Sequence, residues 1–283
     1  MFNRRQFGKT LFMTAGTAML ATTKRAVADA AAAPQIVTLI KEAESGTPIF
    51  RQGQEAEKDA RRFSPCSTFK VAIALMGFDA GILLDEHHPL LAYRPEYKAQ
   101  ADRDKKAVDP TIWLRDSIVW YSQQTTRQLG MERFQAYVNK FNYGNRDLSG
   151  DPGKHDGLTH AWLMSSLQIS VDEQVDFIRR LLASDLGVSP HAYLMTIASL
   201  PVFPVADGWT VRGKTGTGTF ATSAQASLKG QQQGWFVGWA EKGKRRLAFA
   251  RWEIGNATAD TPAGPQARAS FLADFGKMVG GQG

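Results

Sequence analysis

Strand-like and helix-like segments are unevenly distributed along this chain of 283 residues. Runs rich in β-branched and aromatic residues lie near both ends, whereas the middle carries apolar residues at three-to-four spacing. Strands so far apart can share one sheet only if the helical middle is inserted between them. The strand-like runs are 35–40, 48–52, 209–212, 234–240 and 245–254, and the helix-like runs are 71–76, 113–121, 131–141, 172–183, 191–200 and 268–279.

This order predicts an α+β fold in one compact unit. A sheet subdomain would be formed by residues 31–66 and 201–283, and a helical subdomain by residues 67–200.

The first 30 residues have the features of an export signal. A basic start is followed by an apolar stretch over 11–21 and by small residues suited to cleavage at Ala28 or Ala30. The paired Arg4 and Arg5, with Phe7 and Lys9 after them, resemble a twin-arginine signal. We therefore expect an exported protein, periplasmic or secreted, that begins near residue 29 or 31.

The positive charge of the chain lies largely in this segment. The formal net charge is +7, and the first 28 residues hold five basic residues and no acidic one, so their removal leaves +2. A nucleic-acid partner is then not expected. No later run reaches the roughly 18 apolar residues of a bilayer span, and no cysteine ends the signal, so no stable membrane anchor is expected either. The oligomeric state is left open.

The only S-x-x-K of the chain joins Ser67 to Lys70 at the start of an apolar helix. One helical turn brings side chains at this spacing to the same face. A serine hydroxyl needs a base to become nucleophilic, and a lysine amine serves only when it is neutral or modified. Alone the pattern is weak, because a capped helix start has the same residues. The neighbouring Cys66 is the single cysteine, so no intramolecular disulfide can form, and we interpret it as a buried apolar residue.

The only K-T-G, Lys214-Thr215-Gly216, follows the strand-like run 209–212. A lysine there can attract a substrate carboxylate, and the glycine lets a ligand approach the strand edge closely. S-x-x-K followed by K-T-G is the signature of serine β-lactamases and penicillin-binding proteins.

Four motifs taken together resemble those of class D β-lactamases, the oxacillinases. They are Pro65-Cys66-Ser67-Thr68-Phe69-Lys70, Ser117-Ile118-Val119, Tyr143-Gly144-Asn145 and Lys214-Thr215-Gly216. The resemblance implies a central antiparallel sheet flanked by helices, and hydrolysis of penicillins and oxacillin-type β-lactams through an acyl-enzyme on Ser67. No S-D-N and no E-x-x-L-N of class A enzymes occurs, so a different base must activate the hydrolytic water.

In the family that base is a lysine carrying CO2 as a carbamate, which the resemblance assigns to Lys70 as N6-carboxylysine. CO2 or bicarbonate would then be needed, but no metal or other cofactor. Only a neutral amine captures CO2, and an apolar pocket lowers its pKa. Phe69, Val119 and Leu163 are the candidates for that pocket, and Trp162 is expected to donate its indole N–H to the carbamate.

The resemblance implies the remaining roles. Ser117 would relay a proton toward the leaving nitrogen, and Lys214 is a further catalytic residue. The backbone N–H groups of Ser67 and Thr217 would form the oxyanion hole. Substrate contacts are assigned to Thr215, Gly216, Arg268, Val119 and Tyr143. A second Y-x-N, starting at Tyr137, falls inside a predicted helix, so Tyr143 is preferred.

Three rival functions share part of this pattern. A β-lactam sensor would be acylated without turnover, and a penicillin-binding D,D-peptidase would lack the carbamate capped by a tryptophan. A metallohydrolase built on His87, His88, His155 and His160 is disfavoured, because adjacent histidines on a regular element cannot face one metal.

Overall fold

The structure is a computed structural model that describes residues 35–53, 61–220, 230–254 and 261–280. The predicted export signal lies outside the described residues. Among the described residues, none of the helices combines the length and apolar character that a bilayer span requires.

One antiparallel sheet collects strands from both ends of the chain. The strands are β1 Gln35–Glu42, β2 Pro48–Gln52, β3 Val202–Pro204, β4 Thr210–Thr219, β5 Gln232–Lys242 and β6 Arg245–Ile254. Their order in the sheet is β2-β1-β6-β5-β4-β3, so the first strand lies between the second and the last. The sheet and its assembly from distant segments are as predicted, but β3 was missed, because it is three residues long and contains Pro204.

Most α-helices lie between β2 and β3, as the sequence predicts. They are α1 Lys70–Asp79, α2 Pro110–Asp116, α3 Val119–Leu129, α4 Met131–Lys140, α5 Gly157–His160, α6 Val171–Leu182 and α7 Pro190–Ser199, with α8 Ala263–Gly280 closing the chain. A 3-10 turn, Cys66–Phe69, leads into α1.

Two sequence-based boundaries were wrong in ways that matter for the site. The segment 113–121 is not one helix: Ser117 adopts a left-handed conformation with φ 63°, which ends α2 before α3 begins. The strand predicted over 209–212 continues through Lys214-Thr215-Gly216 to Thr219, because β5 pairs with it over that whole length. Lys214 is therefore a residue within a strand and not one that follows it.

Hydrophobic residues pack on both faces of the sheet. Successive side chains of a strand point to opposite faces, and in β5 Trp235 and Val237 join the larger cluster with α1, whereas Phe236 joins the cluster under α8. Helix α1 is surrounded by this packing, and every residue from Lys70 to Phe78 is buried. The side chain of Lys70 is therefore buried in the protein core.

Candidate active site

Ser67 and Lys70 meet in the turn that starts α1. The Lys70 Nζ donates a hydrogen bond of 2.8 Å to the Ser67 Oγ. The turn is sharp, since Cys66 has a φ of 49° and Thr68 donates its backbone N–H to the Pro65 carbonyl at 3.1 Å. A candidate nucleophile and a candidate base are thus in direct contact, as the three-residue spacing predicts.

The amine of Lys70 has an environment in which it readily loses its charge. The side chain is 0% exposed, and burial lowers the pKa of Lys70 to about 7. Aromatic rings pack around the turn, and the Phe69 ring lies 4.9 Å from the Tyr143 ring and 5.8 Å from the Trp162 ring between centroids. A substantial fraction of the Lys70 amine is therefore neutral near pH 7. The neutral amine is the form that can act as a base or capture CO2.

Trp162 is 0% exposed, and among the described residues its Nε1 has no hydrogen-bond partner. A buried indole N–H without an acceptor is costly and uncommon. Its presence beside Phe69, the residue next to Lys70, fits an additional acceptor group in this pocket. A carboxylate on the Lys70 amine has the chemistry to be that acceptor.

Lys214 contacts the residue that interrupts the two helices. Its Nζ donates to the Ser117 Oγ at 2.9 Å and to the Thr215 carbonyl at 3.1 Å. Burial, followed by the charges of Lys70 and Arg268, holds the pKa of Lys214 well below its usual value. The left-handed Ser117 turns its hydroxyl to this lysine, so the second and fourth motifs meet as a hydrogen-bonded pair.

Strand β4 packs directly against the Ser67 turn. A Cβ added at Gly216 would lie 2.8 Å from the Pro65 carbonyl oxygen and 3.3 Å from the Ser67 nitrogen. Only glycine permits this approach, which places the edge at Thr215 and Thr217 beside the nucleophile. The Thr217 Oγ1 accepts the N–H of Gly264 at 2.9 Å and so ties the same strand to α8. The oxyanion hole formed by Ser67 and Thr217 stays a prediction that this proximity favours.

Arg268 and Val119 lie at the border of this group. The guanidinium carbon of Arg268 is 4.9 Å from the centre of the Phe203 ring, and its charge reaches Lys214. Phe203 was not predicted to contact Arg268, because β3 was not predicted. Val119 is the first residue of α3 and is 8% exposed.

Tyr143 is a buried residue that packs against Phe69, and its assignment to substrate contact stays a prediction. It is 1% exposed, its hydroxyl donates to the Gln174 Oε1 at 3.4 Å, and burial raises the pKa of its phenol. The loop character predicted from Gly144 is correct, since its φ is 52° and an added Cβ would meet the Gln168 carbonyl. The ring nevertheless packs inward on Phe69, which favours a role in the wall behind Lys70 over contact with substrate.

The other sequence-based alternatives are placed outside the catalytic group. Tyr137 lies inside α4 and donates to the Asp79 carboxylate at 2.6 Å. Cys66 is buried, which raises the pKa of its thiol to about 11, and this supports its interpretation as a core residue. Sequence reasoning missed two buried residues that hold the Ser67 turn, Ser64 and Gln233, since neither belongs to a motif.

The histidines considered for a metal site do not gather around one point. His87 contacts Asp109 at 3.1 Å and His88 contacts Asp85 at 2.9 Å, both near the surface. Within the described ranges, the one group with ligand atoms inside 4.8 Å of each other is Asp151, Asp156 and His160. Lys154 already pairs with Asp151 there.

The sequence is similar to known β-lactamases over most of its length. A family model for the penicillin binding protein transpeptidase domain matches residues 43–273. Beta-lactamase OXA-9 of Klebsiella pneumoniae is 47% identical over 244 residues, which is 86% of this chain and 88% of that protein. Beta-lactamase OXA-1 of Escherichia coli is 32% identical over 216 residues, 76% of this chain and 75% of that protein.

The fold comparison agrees with the sequence comparison. The crystal structure of the class D β-lactamase OXA-427 matches with a TM-score of 0.78 at 40% identity, covering 87% of this chain and 99% of that one. The fold described above is thus shared with a solved class D β-lactamase.

Proposed function

Because the chain belongs to the class D serine β-lactamases and hydrolyses β-lactams, we propose that it does so through an acyl-enzyme on Ser67 with N6-carboxylated Lys70 as the general base. The observation that carries this proposal is a fully buried Lys70 amine, 2.8 Å from the Ser67 Oγ, in a pocket with an unpartnered Trp162 Nε1 among the described residues.

Acylation follows from the contacts of Ser67. Its oxygen attacks the carbonyl carbon of the lactam ring, and the Lys70 side chain receives the hydroxyl proton because it already contacts that oxygen. The N–H groups of Ser67 and Thr217 would stabilise the developing oxyanion. When the carbon–nitrogen bond breaks, the ring nitrogen needs a proton, and the hydrogen-bonded pair of Ser117 and Lys214 would relay it.

The pocket around Lys70 fits a carbamate. The neutral amine adds CO2 and releases one proton, a reaction that an ammonium ion cannot undergo. When present, the added carboxylate supplies a base both for Ser67 and for the water that cleaves the acyl-enzyme. Trp162 would donate its free N–H to this group, offsetting the cost of a buried anion. Phe69, Val119 and Leu163 would exclude water from it.

Substrate recognition would rely on the cationic border of the site. β-Lactams carry a carboxylate beside the ring nitrogen, and Arg268 offers the positive charge to attract it, while Lys214, Thr215 and Gly216 present the strand edge. The proposed binding partner of the site is a small-molecule β-lactam.

The test is nitrocefin hydrolysis by the purified protein in bicarbonate-free and in bicarbonate-supplemented buffer. We expect bicarbonate to raise turnover and to convert a decaying progress curve into a linear one. Trp162→Phe, which keeps an aromatic ring and removes the N–H, should need far more bicarbonate than the parent. Turnover that is indifferent to bicarbonate in both proteins would exclude the carbamate.

The same assay separates the remaining rivals. An acyl adduct on Ser67 that mass spectrometry detects hours after mixing, with no product release, would indicate a sensor. Rapid cleavage of a D-alanyl-D-alanine peptide with slow nitrocefin turnover would indicate a D,D-peptidase.

We also propose that the first 30 residues direct export by the twin-arginine route. The support is the order of Arg4, Arg5 and Phe7 ahead of an apolar run. Replacing both arginines by lysine should leave activity in the cytoplasmic fraction, whereas an unchanged periplasmic fraction would argue for another route.

A further inference from the structure

One buried hydroxyl joins the Ser67 turn to the segment that carries Trp162. The Ser64 Oγ donates to the Trp162 carbonyl oxygen at 2.8 Å and accepts the N–H of Met164 at 3.0 Å. Ser64 is three residues before Ser67 and is itself buried. This side chain therefore fixes the backbone on both sides of Leu163.

Ser64 is held in turn by the sheet. Its carbonyl oxygen accepts two hydrogen bonds of 3.0 Å, one from the Gln233 Nε2 and one from the Trp235 Nε1. The Gln233 Oε1 accepts the indole N–H of Trp252 at 2.9 Å, so both ends of the amide are occupied. Gln233 and both tryptophans are buried. These hydrogen bonds connect β6, through Gln233 of β5, to Ser64.

The Trp162 segment depends on these hydrogen bonds. Met164 has a φ of 58°, a left-handed conformation that a residue other than glycine keeps only when its surroundings impose it. The indole N–H of Trp162 makes no hydrogen bond to any described residue, so its direction is set by ring packing and by the backbone that Ser64 holds.

We propose that Ser64 and Gln233 are positioning residues that aim the Trp162 indole N–H at the Lys70 side chain and thereby set how fully Lys70 is carboxylated. The proposal rests on the carbamate assigned to Lys70 under the proposed function. Neither residue reaches the reacting atoms itself; each acts through Trp162.

The test measures the modification directly and not only the activity it supports. Parent and Ser64→Ala proteins are titrated with 13C-labelled bicarbonate, and the carbamate signal is followed by 13C NMR. We expect the bicarbonate concentration for half occupancy of the carbamate to rise about tenfold in Ser64→Ala. That is the effect expected when one hydrogen bond to the carbamate is weakened. Gln233→Leu should shift the same concentration in the same direction.

Matched variants separate positioning from general loss of stability. Ser189→Ala removes a hydroxyl that caps α7 by accepting the N–H of Ala192 at 3.3 Å, so it lowers stability without touching the Trp162 segment. It should leave the half-occupancy concentration unchanged. Ser64→Thr keeps the hydroxyl and should restore most of the carbamate signal that Ser64→Ala loses.

The outcomes distinguish the two levels of inference. A parent protein without any carbamate signal overturns the proposed function. If the parent shows the carbamate signal and Ser64→Ala reaches half occupancy at the same bicarbonate concentration, the positioning role alone is overturned. An equal shift of that concentration in Ser189→Ala has the same consequence. If Ser64→Ala does not fold, Ser64→Cys keeps the volume, weakens both hydrogen bonds and carries the same expectation.

Discussion

At the scale of single residues, the site is built from groups that are unfavourable to bury. Lys70 and Lys214 are both inside the protein, and the described residues give Lys70 only a neutral hydroxyl as a hydrogen-bond partner. Such an arrangement costs stability and is typical of functional sites, where a shifted pKa is needed for the chemistry.

The first prediction concerns pH. Because burial lowers the pKa of Lys70 to about 7, its amine is mostly protonated below that pH and cannot capture CO2. Activity in bicarbonate-free buffer should therefore fall as the pH drops through about 7, and added bicarbonate should move this acid limb to lower pH. A pH series of kcat/KM for nitrocefin in both buffers measures it. A limb that stays in place would contradict the assignment of the titrating group.

The second prediction concerns stability. Lys70→Met replaces the buried amine by an apolar chain of similar length and should raise the free energy of unfolding by about 1–3 kcal/mol in bicarbonate-free buffer while abolishing activity. The folded pKa lies below the usual 10.5, so the unfolded chain binds more protons between these values, and the parent gains stability as pH rises from about 7 to 10.5. The advantage of Lys70→Met should shrink over the same range.

Urea unfolding at several pH values measures this difference. The exposed Lys244→Met is the control and should change stability by less than about 0.5 kcal/mol at any pH. A Lys70→Met protein less stable than its parent would contradict the cost assigned to the buried amine.

At the scale of elements, the sequence predicted those contacts that depend on residue spacing within a single helical turn or strand. The contact of Ser67 with Lys70 follows from three-residue spacing in a helical turn. The end of α2 at Ser117 could not be predicted, because a left-handed serine has no sequence signal and is imposed by tertiary contacts such as Lys214. Nor could the inward direction of Tyr143, since its loop was visible but its packing on Phe69 was not.

The third prediction tests the contact of β4 with the Ser67 turn. Gly216→Ala would set a methyl group 2.8 Å from the Pro65 carbonyl oxygen, so one of the two backbones must move. Displacement of a catalytic group by about 1 Å can cost roughly 100-fold in rate, and we expect a loss of that order in kcat/KM. Gly276→Ala in α8, where nothing lies within 4 Å, is the control and should keep full activity. Equal activity of the two variants would contradict the close packing.

At the scale of the whole molecule, the sequence predicted the sheet of distant segments with helices inserted. It could not predict how the helices and the sheet share a core. The larger hydrophobic cluster contains Ile73 of α1, Phe177 of α6 and Trp235 of β5 together. The division at residues 66 and 200 stays a prediction about sequence segments, and the packing crosses it.

The fourth prediction follows from that shared core. Helices and sheet should unfold in one transition, so tryptophan fluorescence and far-UV circular dichroism should give the same urea midpoint. Phe177→Ala should lower both midpoints together, because the loss of a buried aromatic side chain lowers the free energy of unfolding by roughly 3–5 kcal/mol. Two separate midpoints, or a shift in one signal alone, would show that the segments fold independently.

The pairing of β1 with β6 has a consequence for synthesis. Gln35 lies opposite Ile254, so the ribosome must translate as far as residue 254 before β1 can complete its pairing with β6. A chain truncated after α7 contains Ser67 but lacks Lys214, Arg268 and the strand edge between them. A stop codon between α7 and Lys214 should therefore abolish β-lactam hydrolysis.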